Sequence, residues 1–419
     1  MIRKEHLQGA LRRLGPGLIT GAADDDPSGI ATYSQAGAQF GYGLLWTLIL
    51  TLPLMSAIQM ISARIGHVTG HGLAANIKQR FPRPVVLAIV GMLLLANTLN
   101  IAADIAAMAE ALRLVVGGSA HVYAVTFGLL CLVMQVFLPY ERYVRWLKWL
   151  TLALLAYVAV VFSLKLNWAQ VVHEMVWPQV RWNHELLLTV VAVLGTTISP
   201  YLFFWQAAQE MEDKQAGAGQ PHTAQEVRSH LRRIRWDTLI GMSFSNLIAI
   251  CIMLATAATL HQAGVTDIQS SAQAAEALRP LAGELAFALF ALGIVGTGLL
   301  AVPVLAGSAA YAVAEAAGWQ GSLSLRLDQG EGQGFYGVVA AATLGGVLLC
   351  FTPTDPVREL FWSAVLNGVI AVPIMAVMMR LATRREAMGA HVIGRRLAWL
   401  GWLATALMGL TVLAMLLSA

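Results

Sequence analysis

Charge is what this sequence has least of. Only 12% of its 419 residues are Asp, Glu, Lys or Arg, against 58% hydrophobic, and the mean hydropathy is +0.66. A soluble globular domain carries roughly 25% charged residues, and half that share cannot cover a water-facing surface over this length. A large soluble all-α protein would also need amphipathic stripes, which are mostly missing. Cysteine is scarce: Cys131, Cys251 and Cys350 each sit inside an apolar run and form neither a disulfide framework nor a metal-ligand spacing. A cleavable signal peptide is not expected. The basic start (Arg3, Lys4, Arg12, Arg13) leads into a stretch broken by acids and proline rather than into an apolar region with a small-residue cleavage site. There is no nucleophile–base pair or cofactor loop, which argues against an enzyme, and no basic patch interleaved with aromatics, which argues against nucleic acid. Nothing points to a cofactor, an obligate protein partner, an appended signalling or soluble domain, or a low-complexity tract.

What the chain does have is long apolar runs, which read as membrane spans once they exceed about 18 residues. Eleven are expected, near 14–36, 43–65, 85–114, 120–139, 146–165, 186–210, 237–261, 284–316, 335–352, 358–380 and 394–417. The polar stretch 211–236 reads as a loop that anchors on the cytoplasmic side. With the N-terminus cytoplasmic, 22 of the 27 Lys and Arg residues fall on the inside, leaving only Arg113, Lys165, Arg181, Arg279 and Arg358 outside. That is the bias of an inner (plasma) membrane protein, and it places the C-terminus outside. Trp146, Trp149, Trp177 and Trp182 read as interfacial belts.

The first and sixth spans are interrupted. The first reads Gly21-Ala22-Ala23-Asp24-Asp25-Asp26-Pro27-Ser28-Gly29, the sixth Gly195-Thr196-Thr197-Ile198-Ser199-Pro200-Tyr201. A charged residue at mid-membrane costs at least about 2.5 kcal/mol on insertion scales, and proline removes a backbone donor and disfavours helix at the preceding residue. Unwound backbone at membrane depth survives only around a protein-enclosed cavity. Two breaks five spans apart suggest an inverted repeat, about 14–165 against 186–380, with an extra helix at about 394–417. The whole chain then forms a single transporter domain whose substrate sits between the breaks. Pro200 alone would pass for an ordinary kink; three aspartates at the partner break make that reading poor.

These residues resemble the Nramp family of divalent-metal transporters. The resemblance is carried by Gly15-Pro16-Gly17, Asp26-Pro27, Ala31-Thr32 and Gln35-Ala36-Gly37-Ala38, then by Gln59, Ser62-Ala63-Arg64-Ile65-Gly66 and Val68-Thr69-Gly70, and it runs over nearly the whole chain. It implies the LeuT-like fold, a transported divalent ion, and Asp26 as the charged ligand. The departures are specific. Gly29 stands where the family has an Asn ligand, Ser199 where it has a Met and Tyr201 where it has a His. Gln206 replaces a second His and Asn97 replaces an acid of the proton route, while Asp104 is kept. This pattern resembles the divergent magnesium transporters related to the family.

The chemistry of the donors agrees. A thioether is a soft ligand, whereas a set of Asp26, Ser199 and backbone carbonyls such as Ala23 and Thr196 is all oxygen, which suits Mg2+ with retained waters. Gly29 and Ser199 are expected to leave room for those waters. Asp24 and Asp25 either pair with water-bound hydrogens or cap the broken half-helix, since residues 100° apart cannot all face one ion. Asn97, Asn100 and Asp104 share one face as a polar stripe. With the histidines lost, weak or absent proton coupling is expected. Asn246 and Asn367 read as interhelical hydrogen-bond residues, although Asn367 can also line the pathway. His67 and His71 are expected in a loop. The runner-up reading is a proton-coupled Mn2+ or Fe2+ importer; a sodium-coupled amino-acid symporter is disfavoured because the aspartates would repel its carboxylate.

Overall fold

The computed structural model describes residues 16–138, 151–178, 182–216, 224–323, 325, 332–352 and 355–418. It is built from helices, as a chain in lipid must be when its backbone groups have to satisfy one another. The first span is two pieces, α1 (Pro16–Asp24) and α2 (Pro27–Phe40), and a 3-10 turn at Gly41–Leu44 leads into α3 (Leu45–Thr69). There follow α4 (Arg83–Val116), α5 (Ala120–Phe137) and α6 (Leu155–Ser163). The sixth span is again two pieces, α7 (His184–Thr197) and α8 (Pro200–Ala216). The remainder is α9 (Ala224–Thr256), α10 (Ala286–Ala317), α11 (Gln333–Leu349), α12 (Pro356–Ala382) and α13 (Arg395–Leu417).

All eleven expected spans therefore carry helix along their described residues. Eight helical runs are long and apolar enough to cross a membrane alone, and nine if the pair Leu152–Ser163 and Trp168–Val176, bent by 114°, counts as one. The difference from eleven has simple causes. The first two spans join into one run, Pro27–Thr69, and α11 is 17 residues long. Phe137, Phe162 and Leu348 stand more than 70% exposed, as lipid-facing side chains do and as water-facing ones rarely do. Trp177 and Trp182 are likewise exposed, whereas Trp146 and Trp149 lie outside the described residues.

Two expectations are corrected. Residues 211–236 are not one loop: α8 continues to Ala216 and α9 already begins at Ala224. Its first turns, Ala-Gln-Glu-Val-Arg-Ser-His-Leu-Arg-Arg, are good helix formers that no hydropathy pattern reveals. His67 is not in a loop either; it is buried in the last turn of α3, stacked on His230 at 5.0 Å, and the helix ends only at Gly70, whose φ of 69° lets the chain turn away before His71.

The bundle wraps the breaks. The long helix α4 lies along α10, α11 and α12, while α9 lies along α1, α2 and α3, and α8 along α3 and α10. Small residues set these distances, as expected where helices associate by packing alone. The backbone of Ala207 on α8 occupies the place a side chain at Gly66 would take, and Gly195 of α7 meets Ala364 and Gly368 of α12 in the same way. Gln59 Nε2 and Ser62 Oγ of α3 then donate to the carbonyls of Leu202 (2.8 Å) and Phe203 (2.5 Å), fixing the start of α8.

Gly66→Ala is therefore expected to overpack the α3–α8 contact and destabilise the protein by about 1–3 kcal/mol. Gly91→Ala, where nothing lies within 4 Å of the added carbon, should be neutral or stabilising by up to about 1 kcal/mol. Thermal unfolding of the two variants in detergent checks the contrast; equal midpoints would show that the close approach does not matter.

Candidate metal site

The site follows from two prolines. In a regular helix the carbonyl of residue i accepts from the N–H of residue i+4. Pro27 stands four residues after Ala23 and Pro200 four after Thr196, and neither has an N–H to give. One carbonyl at each break is thus released from its helix at the same place. Asp25 and Asp26 lie outside helix at the first break, Ile198 and Ser199 at the second.

At the first break Asp26 is extended (φ −68°, ψ 170°) and caps α2 with its own carboxylate. Oδ1 accepts from the Gly29 N–H and from Ser28 Oγ, each at 2.7 Å. At the second break Ser199 Oγ donates to the freed Thr196 carbonyl at 2.8 Å and lies 3.0 Å from the Gly195 carbonyl. Tyr201 joins the two breaks: its hydroxyl is 3.0 Å from the freed Ala23 carbonyl and 3.3 Å from Asp26 Oδ2. All of these side chains are at most 2% exposed.

Asp26, Ala23, Thr196, Ser199 and Tyr201 are therefore brought together. Gly29 is adjacent, but the room expected beside it is already filled: a Cβ there would lie 3.2 Å from Thr196 Oγ1 and 3.3 Å from both the Asp24 carbonyl and the Tyr33 ring. The capping role falls to Asp26 itself, leaving Asp24 and Asp25 to face α9, where Ser245 Oγ lies 2.6 Å from Asp24 Oδ2 and 3.0 Å from Asp25 Oδ1. Gln206 is not at the breaks; its Nε2 donates to Thr238 at 3.0 Å. The polar stripe on α4 is real. Asn97 donates to the Leu305 carbonyl (2.8 Å) and to Ser308 (2.7 Å), and Asn100 to Asn367 (3.0 Å). Asp104 is buried, within electrostatic range of Asp26, and neither of its oxygens has a hydrogen-bond partner among the described residues. Asn367 is thus the interhelical residue expected, while the Asn246 side-chain oxygen is buried without a partner among the described residues.

Sequence reading missed two residues. Ser28 enters the sequence reading only as part of the broken stretch, yet it binds the key carboxylate; its place next to the proline in the first turn is the available signal. Ser245 had no signal at all, being one serine among several on an apolar helix.

A donor set of one carboxylate, two released carbonyls and two hydroxyls is entirely oxygen. It can bind a hard cation.

Comparison with known proteins agrees with this architecture. The chain is 29% identical over 300 residues to the divalent metal cation transporter MntH of Aeromonas hydrophila, covering 69% of this chain and 70% of that protein. It is also 29% identical over 293 residues to MntH of Verminephrobacter eiseniae, covering 68% of this chain but 64% of the relative's length. Among solved structures, the Eremococcus coleocola manganese transporter in complex with an aromatic bis-isothiourea compound superposes with a TM-score of 0.75 at 19% identity, over 97% of this chain and 85% of that one. Mhp1, a nucleobase-cation-symport-1 family transporter, superposes in its closed conformation with a TM-score of 0.56 at 14% identity, over 97% and 92%. At these identities the likeness establishes the fold, which is the expected LeuT-like one with its first and sixth helices broken. Finally, the sequence profile of the family described as Nramp, natural resistance-associated macrophage protein-like, matches residues 17–418. The protein belongs to the Nramp family, whose members are membrane transporters and not enzymes.

Proposed function

We propose that this chain, a single transporter domain, imports divalent metal cations across the inner (plasma) membrane by alternating access, with Mg2+ preferred, Mn2+ accepted and little or no proton coupling. The observation that carries the reading is the pair of released carbonyls, Ala23 and Thr196, flanking one buried carboxylate, Asp26, with the Ser199 and Tyr201 hydroxyls as their hydrogen-bond partners. These oxygens accept from the Ser199 and Tyr201 hydroxyls. A hydroxyl has two lone pairs besides its proton, so rotation turns the same atoms from donors into ligands or partners of ion-bound water. Hard Mg2+ takes oxygen ligands and keeps several waters. Asn97 and Gln206, where the resemblance places titratable groups, cannot carry protons, which supports weak coupling.

A proton-coupled Mn2+ or Fe2+ importer is the second reading, favoured by the superposed Eremococcus coleocola manganese transporter. A sodium-coupled amino-acid symporter fits less well, because a substrate carboxylate would meet Asp26. The orientation proposed is a cytoplasmic N-terminus and an external C-terminus, from the 22-to-5 division of basic residues.

Asp26→Ala should abolish divalent uptake into proteoliposomes while the protein stays folded and extractable, and wild-type uptake of Mg2+ and Mn2+ should change by less than about twofold when a pH gradient is imposed. Transport by Asp26→Ala removes the site assignment; strong acceleration by inward-directed protons removes the uncoupled reading. Ser199→Met should shift the Mg2+-to-Mn2+ affinity ratio toward Mn2+ by about tenfold, or about 1.4 kcal/mol, measured by competition binding. An unchanged ratio would mean that selectivity lies elsewhere. Adding Gly29→Asn should weaken both ions, because its side chain must displace Thr196. Cysteines placed at Gln225 and Ser418 should be labelled from outside intact cells only at Ser418; the opposite pattern reverses the orientation.

A further inference from the structure

Asp24 and Asp25 lie outside the proposed ion shell, and α9 takes both of them. Positions 237, 241 and 245 of α9 are four apart and so share one face, and that face runs the length of α1. At its start, Asp237 Oδ2 accepts from the Gly17 N–H at 2.7 Å, one of the amide groups a helix cannot pair within itself. Along its middle, the backbone of Thr238 and Gly241 fills the places where side chains at Gly17 and Gly21 would stand, so the two backbones touch. At its end, the Ser245 hydroxyl lies between the two carboxylates, 2.6 Å from Asp24 Oδ2 and 3.0 Å from Asp25 Oδ1. Asp24, Asp25 and Ser245 are all at most 2% exposed.

The last of these contacts bears on transport. Ala23, whose carbonyl faces Tyr201, immediately precedes Asp24, and Asp26 immediately follows Asp25. The Ala23 carbonyl has no helical partner because Pro27 lacks an N–H, Asp25 lies outside helix, and Asp26 is held from the α2 side, where its carbonyl accepts from the Ile30 N–H at 3.1 Å and its Oδ1 caps the Gly29 N–H. Each non-helical residue leaves two soft dihedrals. The orientation of the carbonyl and the carboxylate therefore depends on side-chain contacts, and Ser245 supplies the contact from the α9 side.

We propose that Ser245 is a positioning residue of the ion site: by tying Asp24 and Asp25 to α9 it fixes the backbone that presents the Ala23 carbonyl and the Asp26 carboxylate. This rests on the reading that the ion sits at Asp26. Asp24 and Asp25 are then anchors of the first half-helix.

The test uses the full-length protein in proteoliposomes with Mn2+ uptake as readout, comparing wild type, Ser245→Ala, Ser245→Thr and Asp26→Ala. Removing a hydroxyl that serves two buried carboxylates should raise KM about tenfold, with Vmax within about twofold, because the glycine contacts that hold α1 remain. Ser245→Thr keeps the hydroxyl and should return KM close to wild type. An unchanged KM in Ser245→Ala overturns the proposal, as does equal impairment by Ala and Thr, which would trace the effect to packing and not to the hydroxyl. Asp26→Ala separates the two readings. If it transports normally, the site reading has failed; if it is dead while Ser245→Ala behaves as wild type, only the positioning role has failed.

Discussion

Two prolines, each four residues after a carbonyl, constrain everything around them. A carbonyl without its helical partner is tolerable in water, where solvent replaces the bond, but costs several kcal/mol in hydrocarbon. Pro27 and Pro200 each create one such group at membrane depth. The chain answers by burying both breaks among α3, α9, α10 and α12 and by aiming a hydroxyl at each freed oxygen, Tyr201 at Ala23 and Ser199 at Thr196. Since Tyr201 belongs to the second break and Ala23 to the first, satisfying one break requires the other to lie against it. The close contact of the two spans is thus a consequence of hydrogen-bond accounting before it is a matter of ion binding.

The halves of the two broken spans are fastened differently. Both pieces of the first, α1 and α2, pack on the unbroken α9: Gly17 and Gly21 against Thr238 and Gly241, and Gly37 against Met253 and Thr256. The pieces of the sixth go separate ways, α7 to α12 through Gly195 and Gly368, and α8 to α3 through Gly66, Gln59 and Ser62. The far end of α8 is tied further. Arg233 of α9 pairs with Glu210 at 3.2 Å and Asp213 at 3.0 Å, Tyr311 of α10 donates to Glu212 at 2.7 Å, and Lys214 donates to the Val68 carbonyl at 3.0 Å. Glu210 is fully buried, and breaking such a pair leaves an uncompensated charge. The halves of the sixth span thus pack chiefly on different helices, although α3 and α12 each touch both.

The sequence carried most of the architecture because membrane physics leaves few choices. Apolar length marks the spans, and Asp26-Pro27 and Ser199-Pro200 mark the breaks without any knowledge of tertiary contacts. What stayed hidden was hidden for a physical reason in each case. The first three turns of α9 are polar, so they leave no hydropathy trace although their helix propensity is good. Ser245 meets Asp24 across 221 residues of sequence, and no local pattern encodes such a contact. The space beside Gly29 looked open because a glycine has no side chain, but neighbours fill the volume a missing side chain leaves, here Thr196, Tyr33 and the Asp24 backbone. The capping role, expected of Asp24 or Asp25, falls to Asp26, which lies immediately before the proline and is the one placed to reach the Gly29 N–H.

The departures from the family pattern gain coherence from this accounting. A methionine at 199 can accept weakly through sulfur but cannot donate, so the Thr196 carbonyl freed by Pro200 would have to be satisfied by an ion, by water or by another side chain. Serine at the same position donates to that carbonyl itself. Tyrosine at 201 does the same for Ala23 and reaches the Asp26 carboxylate as well. The two substitutions act in one direction: they let the site close upon itself with its polar groups paired. A site whose backbone groups are paired by its own side chains needs no tightly held, dehydrated ion to keep them paired. Under the proposed function, that property is what a preference for Mg2+, which gives up its waters reluctantly, would draw on.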